Sequence, residues 1–90
     1  MTPSSLAIAT VESYLQRVLR ICISDNRIFL GTFVCMDKQL NIILTNTEEF
    51  RLGGSSQGRF VGMVMVPWKQ ITKLEVQGAD LYGGFEDEYT

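Results

Sequence analysis

The run Leu19-Arg20-Ile21-Cys22-Ile23-Ser24-Asp25-Asn26-Arg27-Ile28-Phe29-Leu30-Gly31-Thr32-Phe33 decides the fold. Leu19, Ile21 and Ile23 alternate with Arg20, Cys22 and Ser24, a period of two with a β-branched bias that marks a strand. Asp25-Asn26 breaks the run. Both residue types tolerate a left-handed backbone, so the chain is expected to reverse there in a tight hairpin. A second strand then runs from Arg27 to about Met36. Gly31 sits in its middle, where a residue without a Cβ allows a sharp bend or a close backbone approach.

Working outward, Asp37-Lys38-Gln39 reads as a short turn, and Asn41-Ile42-Ile43-Leu44 opens a third strand towards Phe50-Arg51. Gly53-Gly54-Ser55-Ser56-Gln57-Gly58 is a loop by composition. A fourth strand spans residues 59–66 with Gly62 inside it, Pro67 stops it, and residues 70–76 make a fifth. Before the hairpin, Ile8, Val11, Tyr14 or Leu15, and Val18 fall three or four apart, the spacing of a helix over residues 5–16. Ser4, Ser5 and Thr10 are all suited to cap its start. One helix and five short antiparallel strands, two of them kinked by glycine, predict a mainly β fold: a strongly bent five-stranded sheet closing towards a small open barrel. OB-type and SH3-type barrels share that logic, and the pattern does not separate them.

Ninety residues allow one small domain, expected over residues 1–76, with an acidic tail over 77–90. The absence of histidine removes Cys-His and Ser-His dyads and the commonest zinc sets. Cys22 and Cys35 lack a CxxC spacing and read as small core thiols in a reducing compartment. The glycines of residues 53–58 precede no helix signal and so make no phosphate cradle. No nucleophile, base and oxyanion donor assemble from these residues, so neither an enzyme nor a cofactor is expected. The apolar run at residues 60–68 is about half of what a spanning helix needs, and no targeting signal is visible, which predicts a cytoplasmic chain without membrane association. The tail carries a charge of −4 and the rest +2, a weak magnet for phosphate backbones. Leu81, Tyr82, Phe85 and Tyr89 leave open whether that tail is solvated or docks on something.

The block from Ser24 to Phe33, followed by Met36-Asp37-Lys38-Gln39-Leu40-Asn41-Ile42-Ile43-Leu44, resembles the first motif of the Sm and Sm-like (LSm) family. Glu48-Glu49-Phe50 suits the acidic end of that motif. Phe60-Val61-Gly62-Met63-Val64-Met65-Val66, with Lys69-Gln70-Ile71 after it, resembles the second. The resemblance covers most of residues 12–76 and implies a helix followed by a bent five-stranded sheet. In RNA-binding members a turn residue stacks on a uracil-type base, an Asn amide meets its edge, and an Arg-Gly supplies a guanidinium plane. Here Asp37 and Asn41 remain, but the stacking position is Gln39 and the Arg-Gly is replaced by Pro67-Trp68. The resemblance thus makes Asp37, Gln39 and Asn41 the positions of a vestigial RNA pocket. For Asp37 and Asn41 the alternative role is local turn bonding. Trp68 is open to three roles: partner anchor, core residue or base-stacking substitute.

A block with Met-Val-Pro in place of Arg-Gly is similar to the small auxiliary subunits of the N-terminal acetyltransferase C (NatC) complex. That resemblance implies a hetero-oligomer with a catalytic acetyltransferase subunit and a large auxiliary subunit, and no nucleic acid. The catalytic partner would acetylate nascent N-termini that begin with Met and a hydrophobic residue. Sm folds associate by pairing strand edges, and residues 60–66 of the fourth strand carry no charge and no internal proline, the usual protections of an edge. Phe60, Val61, Met63, Met65 and Trp68 are therefore the expected partner interface, unless the strand is buried in its own barrel. The competing expectation is an RNA-binding Sm/LSm ring subunit.

Overall fold

The computed structural model describes residues 4–54 and 57–77. The first element, α1 (Ser5–Glu12), begins where the Ser4 hydroxyl accepts a hydrogen bond from the Ala7 N–H at 3.0 Å, which selects Ser4 among the three candidate caps. The helix ends four residues before the periodicity suggested. The N–H groups of Tyr14 and Leu15 bond three residues back, to Val11 and Glu12, tightening the last turn. Gln16 then adopts a left-handed backbone at φ 71°, and its N–H donates to the Phe33 carbonyl at 2.7 Å. The chain must enter β1 alongside β2, and that geometry outranks the apolar spacing.

The strands are β1 (Val18–Ile23), β2 (Arg27–Met36), β3 (Asn41–Arg51), β4 (Arg59–Pro67) and β5 (Ile71–Val76), with a 3-10 turn at Trp68–Gln70 between the last two. All neighbouring pairs are antiparallel, in the order β4-β3-β2-β1-β5. In the β1–β2 hairpin only Asn26 is left-handed (φ 71°), and its N–H returns to the Ile23 carbonyl at 3.0 Å. That is the longer hairpin built on a turn followed by one left-handed residue, not a two-residue turn on Asp25-Asn26. Asp25 fixes it by accepting from the Arg27 backbone N–H at 3.1 Å and from Arg27 Nε at 2.8 Å.

The sheet bends where β3 crosses Gly31. Register slips between Leu30 and Thr32, and again around Thr47 on the β4 side. A Cβ at residue 31 would overlap Thr47 Oγ1 and press on the Thr45 carbonyl, so the crossing needs glycine. The concave face encloses Leu19, Ile21, Phe33, Ile42, Leu44, Val66 and Leu74, closed at one side by Val11 of α1 and by Tyr14. Thr47 lies fully buried among them, and its hydroxyl has no hydrogen-bond partner.

Candidate functional site

The β2–β3 turn is built around one carboxylate. Asp37 Oδ1 accepts from the backbone N–H groups of Gln39 (3.0 Å) and Asn41 (2.9 Å), and Oδ2 accepts from Asn41 Nδ2 at 3.0 Å. The bond from the Asn41 side chain and that from its backbone hold the Asp37 carboxyl below its ordinary 3.8. Leu40 is left-handed at φ 65°, a conformation the carboxylate-centred turn imposes on a residue that would not choose it. Asn41 pairs with Pro67 across the β3–β4 ladder, and the Trp68 N–H donates to the Leu40 carbonyl at 3.0 Å. The structure therefore brings Asp37, Gln39, Asn41 and Trp68 to one end of the sheet. Gln39 is exposed. Trp68 packs partly against the core, the second of its three expected roles, and leaves part of its ring uncovered.

The remaining expected residues lie along β4. Val66 is buried and Val64 packs against the core, while Phe60, Met63 and Met65 keep 67%, 69% and 59% of their surface exposed. Val61 is half-buried, and Gly62 at φ 82° interrupts the alternation. β4 and β5 end the strand order, and among the described residues neither is paired on its outer edge. One face of β4 thus belongs to its own barrel, while its other face and its edge stay open. Beyond Arg59 the strand carries no charge, and an edge of this kind with two exposed methionines is a template for another chain. Methionine adapts its shape to a partner.

Sequence reasoning missed two further features. A recess of about 270 Å³ opens at the barrel mouth beside β4, lined by Ile23, Arg27, Phe29, Glu49, Met65 and Gln70. Arg27 lies over the Phe29 ring, 5.4 Å from its centroid. The second feature is the outer face of the sheet, where Cys22 and Ile28 are buried as thoroughly as core residues. Its signal was the unbroken apolar triplet Ile28-Phe29-Leu30, which no half-solvated strand needs. Cys22 and Cys35 are both free thiols; Cys22 is buried as expected, whereas Cys35 is exposed, because the register shift between Phe33 and Cys35 breaks the alternation that would have turned it onto the core face with Phe33. No group of three potential metal ligands occurs among the described residues, and no described helix is long and apolar enough to cross a membrane. Apart from Gln77, the acidic tail expected over residues 77–90 lies outside the described residues.

A short helix, five antiparallel strands in this order and two turns side by side at one end define the Sm-like class. Residues 9–75 match the LSM domain family. Within that class the chain belongs to the family of NatC auxiliary subunits. It is 34% identical over 87 residues to the mouse "N-alpha-acetyltransferase 38, NatC auxiliary subunit", covering 92% of this chain and 70% of the mouse protein. The protein of the same name from Schizosaccharomyces pombe is 40% identical over 67 residues, covering 74% and 89%. A chain in a crystal structure of the NatC complex bound to Gag peptide and CoA superposes with a TM-score of 0.60 at 26% identity, covering 71% of this chain and 86% of that one. These relatives are named auxiliary and not catalytic subunits, and the chain is accordingly not the enzyme.

Proposed function

We propose that this chain is a non-catalytic subunit that holds a NatC-type N-terminal acetyltransferase together through the open edge of β4. The carrying observation is the exposure of Phe60, Met63 and Met65 on an edge strand that holds no charge after Arg59. A partner strand adding to β4 would gain backbone hydrogen bonds there and bury those side chains. The partners are a catalytic acetyltransferase subunit and a large auxiliary subunit, which places the chain in the cytoplasm with nascent polypeptides. Selection of N-termini beginning with Met and a hydrophobic residue belongs to the catalytic subunit. Residues 1–76 form the Sm-like domain and 77–90 its tail.

Two features of the turns support protein adhesion over RNA binding. Gln39 and Pro67 offer neither an aromatic nor a cationic platform, and the Asn41 amide is already donated to Asp37. The test is co-expression of the chain with both partner subunits. The account expects a stable co-purifying complex whose acetylation of Met-hydrophobic peptides survives Asn41→Ala with little change. Failure to co-purify, together with tight, salt-sensitive, uridine-selective binding by the chain, would replace this reading with a ring subunit of a ribonucleoprotein.

A further inference from the structure

Three arginines gather at the end of the sheet where β4 begins. Arg27 and Arg51 are direct cross-strand partners, and Arg59 pairs with Glu49 one row further in. Like charges set opposite each other in a ladder oppose the pairing, so each guanidinium needs a carboxylate. Two carboxylates are engaged there. Asp25 Oδ2 accepts from Arg27 Nε at 2.8 Å, and Glu49 meets Arg59 at 3.4 Å. Arg51 stands near enough to Asp25 for their charges to interact, but it makes no ion pair of its own among the described residues. Glu48, the next acidic residue along β3, alternates onto the other face, in the row of Leu30 and Phe60. One guanidinium is left over.

The surplus charge faces open space beside β4. Arg51 and Arg59 line a recess of about 370 Å³ with Glu49 in its wall. Glu49 also lines the 270 Å³ recess at the barrel mouth, which follows Val64, Met65 and Pro67. The two recesses therefore adjoin at Glu49 and flank β4 at both of its ends. Glu49 keeps only 11% of its side chain exposed, whereas Arg59 keeps 76%. Together Arg51, Arg59 and Glu49 carry a single positive charge. That balance suits one added carboxylate, which a guanidinium fork grips through two parallel bonds. A nucleic-acid backbone would instead bring a run of phosphates up against Glu49.

We infer, on the reading that a partner chain pairs with β4, that the partner brings an Asp or Glu whose carboxylate enters the recess between Arg51 and Arg59. The docking segment then has a stated chemistry: apolar side chains beside Met63 and Met65, and an acidic one about five residues away, beside Arg59. The carboxylate supplies what the rest of β4 lacks. Residues 60–66 offer backbone bonds and apolar surface at every step, so they fix adhesion but leave the register weakly specified. A slip of one residue would turn the acidic side chain onto the other face and strand it away from both arginines.

The experiment assembles the full chain, carrying Arg51→Lys or Arg59→Lys, with the catalytic and large auxiliary subunits and adds a zero-length carbodiimide, which joins an amine to a carboxylate. The expected product is a link from position 51 or 59 to one Asp or Glu of a partner subunit. Arg51→Gln combined with Arg59→Gln is expected to weaken assembly about tenfold in about 0.05 M salt and to lose most of that effect in about 0.5 M, with thermal unfolding of the free chain unchanged. Links confined to Asp25 or Glu49 overturn the inference, as does an unaltered affinity. So does a loss of affinity that salt leaves in place, because the arginines then act by packing, or one that nuclease treatment abolishes, because the anion is then a nucleic acid. Amide exchange on the same complex separates the two claims. Protection of residues 60–66 without the link removes the carboxylate alone, whereas no protection there removes the β4 edge and the carboxylate with it.

Discussion

At the scale of single residues, Gly31 and Thr47 form one contact that fixes the bend. Gly31→Ala forces a methyl against Thr47 Oγ1 and the Thr45 carbonyl, and overpacking of this kind costs about 1–3 kcal/mol. Urea unfolding of the variant is expected to show a lower midpoint with an unchanged slope. The unpartnered hydroxyl of Thr47 carries its own desolvation penalty. Thr47→Val keeps the shape without the hydroxyl and is expected to raise stability by about 1 kcal/mol. Asp37 supplies a pH signature. Its hydrogen bonds hold the folded carboxyl below its ordinary 3.8, so their contribution is complete above that value and is lost as pH falls through the folded one. Burial alone would raise the Glu75 carboxyl, but the hydrogen bond from Arg20 and the charge of Lys73 outweigh it and leave it lowered as well. Stability should therefore fall below about pH 4, and Asp37→Asn should make that fall shallower while leaving the profile above about pH 5 flat. A slope identical to that of the parent chain would remove Asp37 from the account.

At the scale of elements, β4 divides its side chains between two duties. Met63→Asp and Met65→Asp place charges on surface that is already exposed, so thermal unfolding of the chain alone should move by less than about 0.5 kcal/mol. The same variants should abolish recovery of the complex. If they assemble normally, the edge is misassigned. The strand assignment was legible in the sequence because period-two alternation and the glycines at 31 and 62 report local geometry. The helix end and the hairpin type were not. Each is set by a contact distant in sequence: Gln16 with Phe33, and Asn26 with Leu52, whose N–H donates to the Asn26 carbonyl at 2.8 Å. The exposure of Met63 and Met65 followed from alternation against Val64 and Val66, but the packing of Trp68 did not. Its place depends on how the 3-10 turn folds back over the core, which no local pattern encodes.

At the scale of the whole molecule, the strand order leaves two open edges on a barrel with a small core. A partner chain on one edge would cover that surface, and the order of apolar and charged residues along β4 and β5 distinguishes the two edges. β5 carries Lys73 and Glu75, with Arg20 of β1 beside them in an ion-paired cluster, whereas the one charge of β4 is Arg59 at its start. The two edges are therefore unequal, and an assembly through β4 alone ends after one contact instead of propagating into a ring. The direct test is amide hydrogen exchange of the chain, free and assembled with the catalytic and large auxiliary subunits. The account predicts that assembly slows exchange along Arg59–Pro67 by at least an order of magnitude, about 1.4 kcal/mol, while Ile71–Val76 changes little. Equal exchange at Arg59–Pro67 in the free and assembled chain would contradict it.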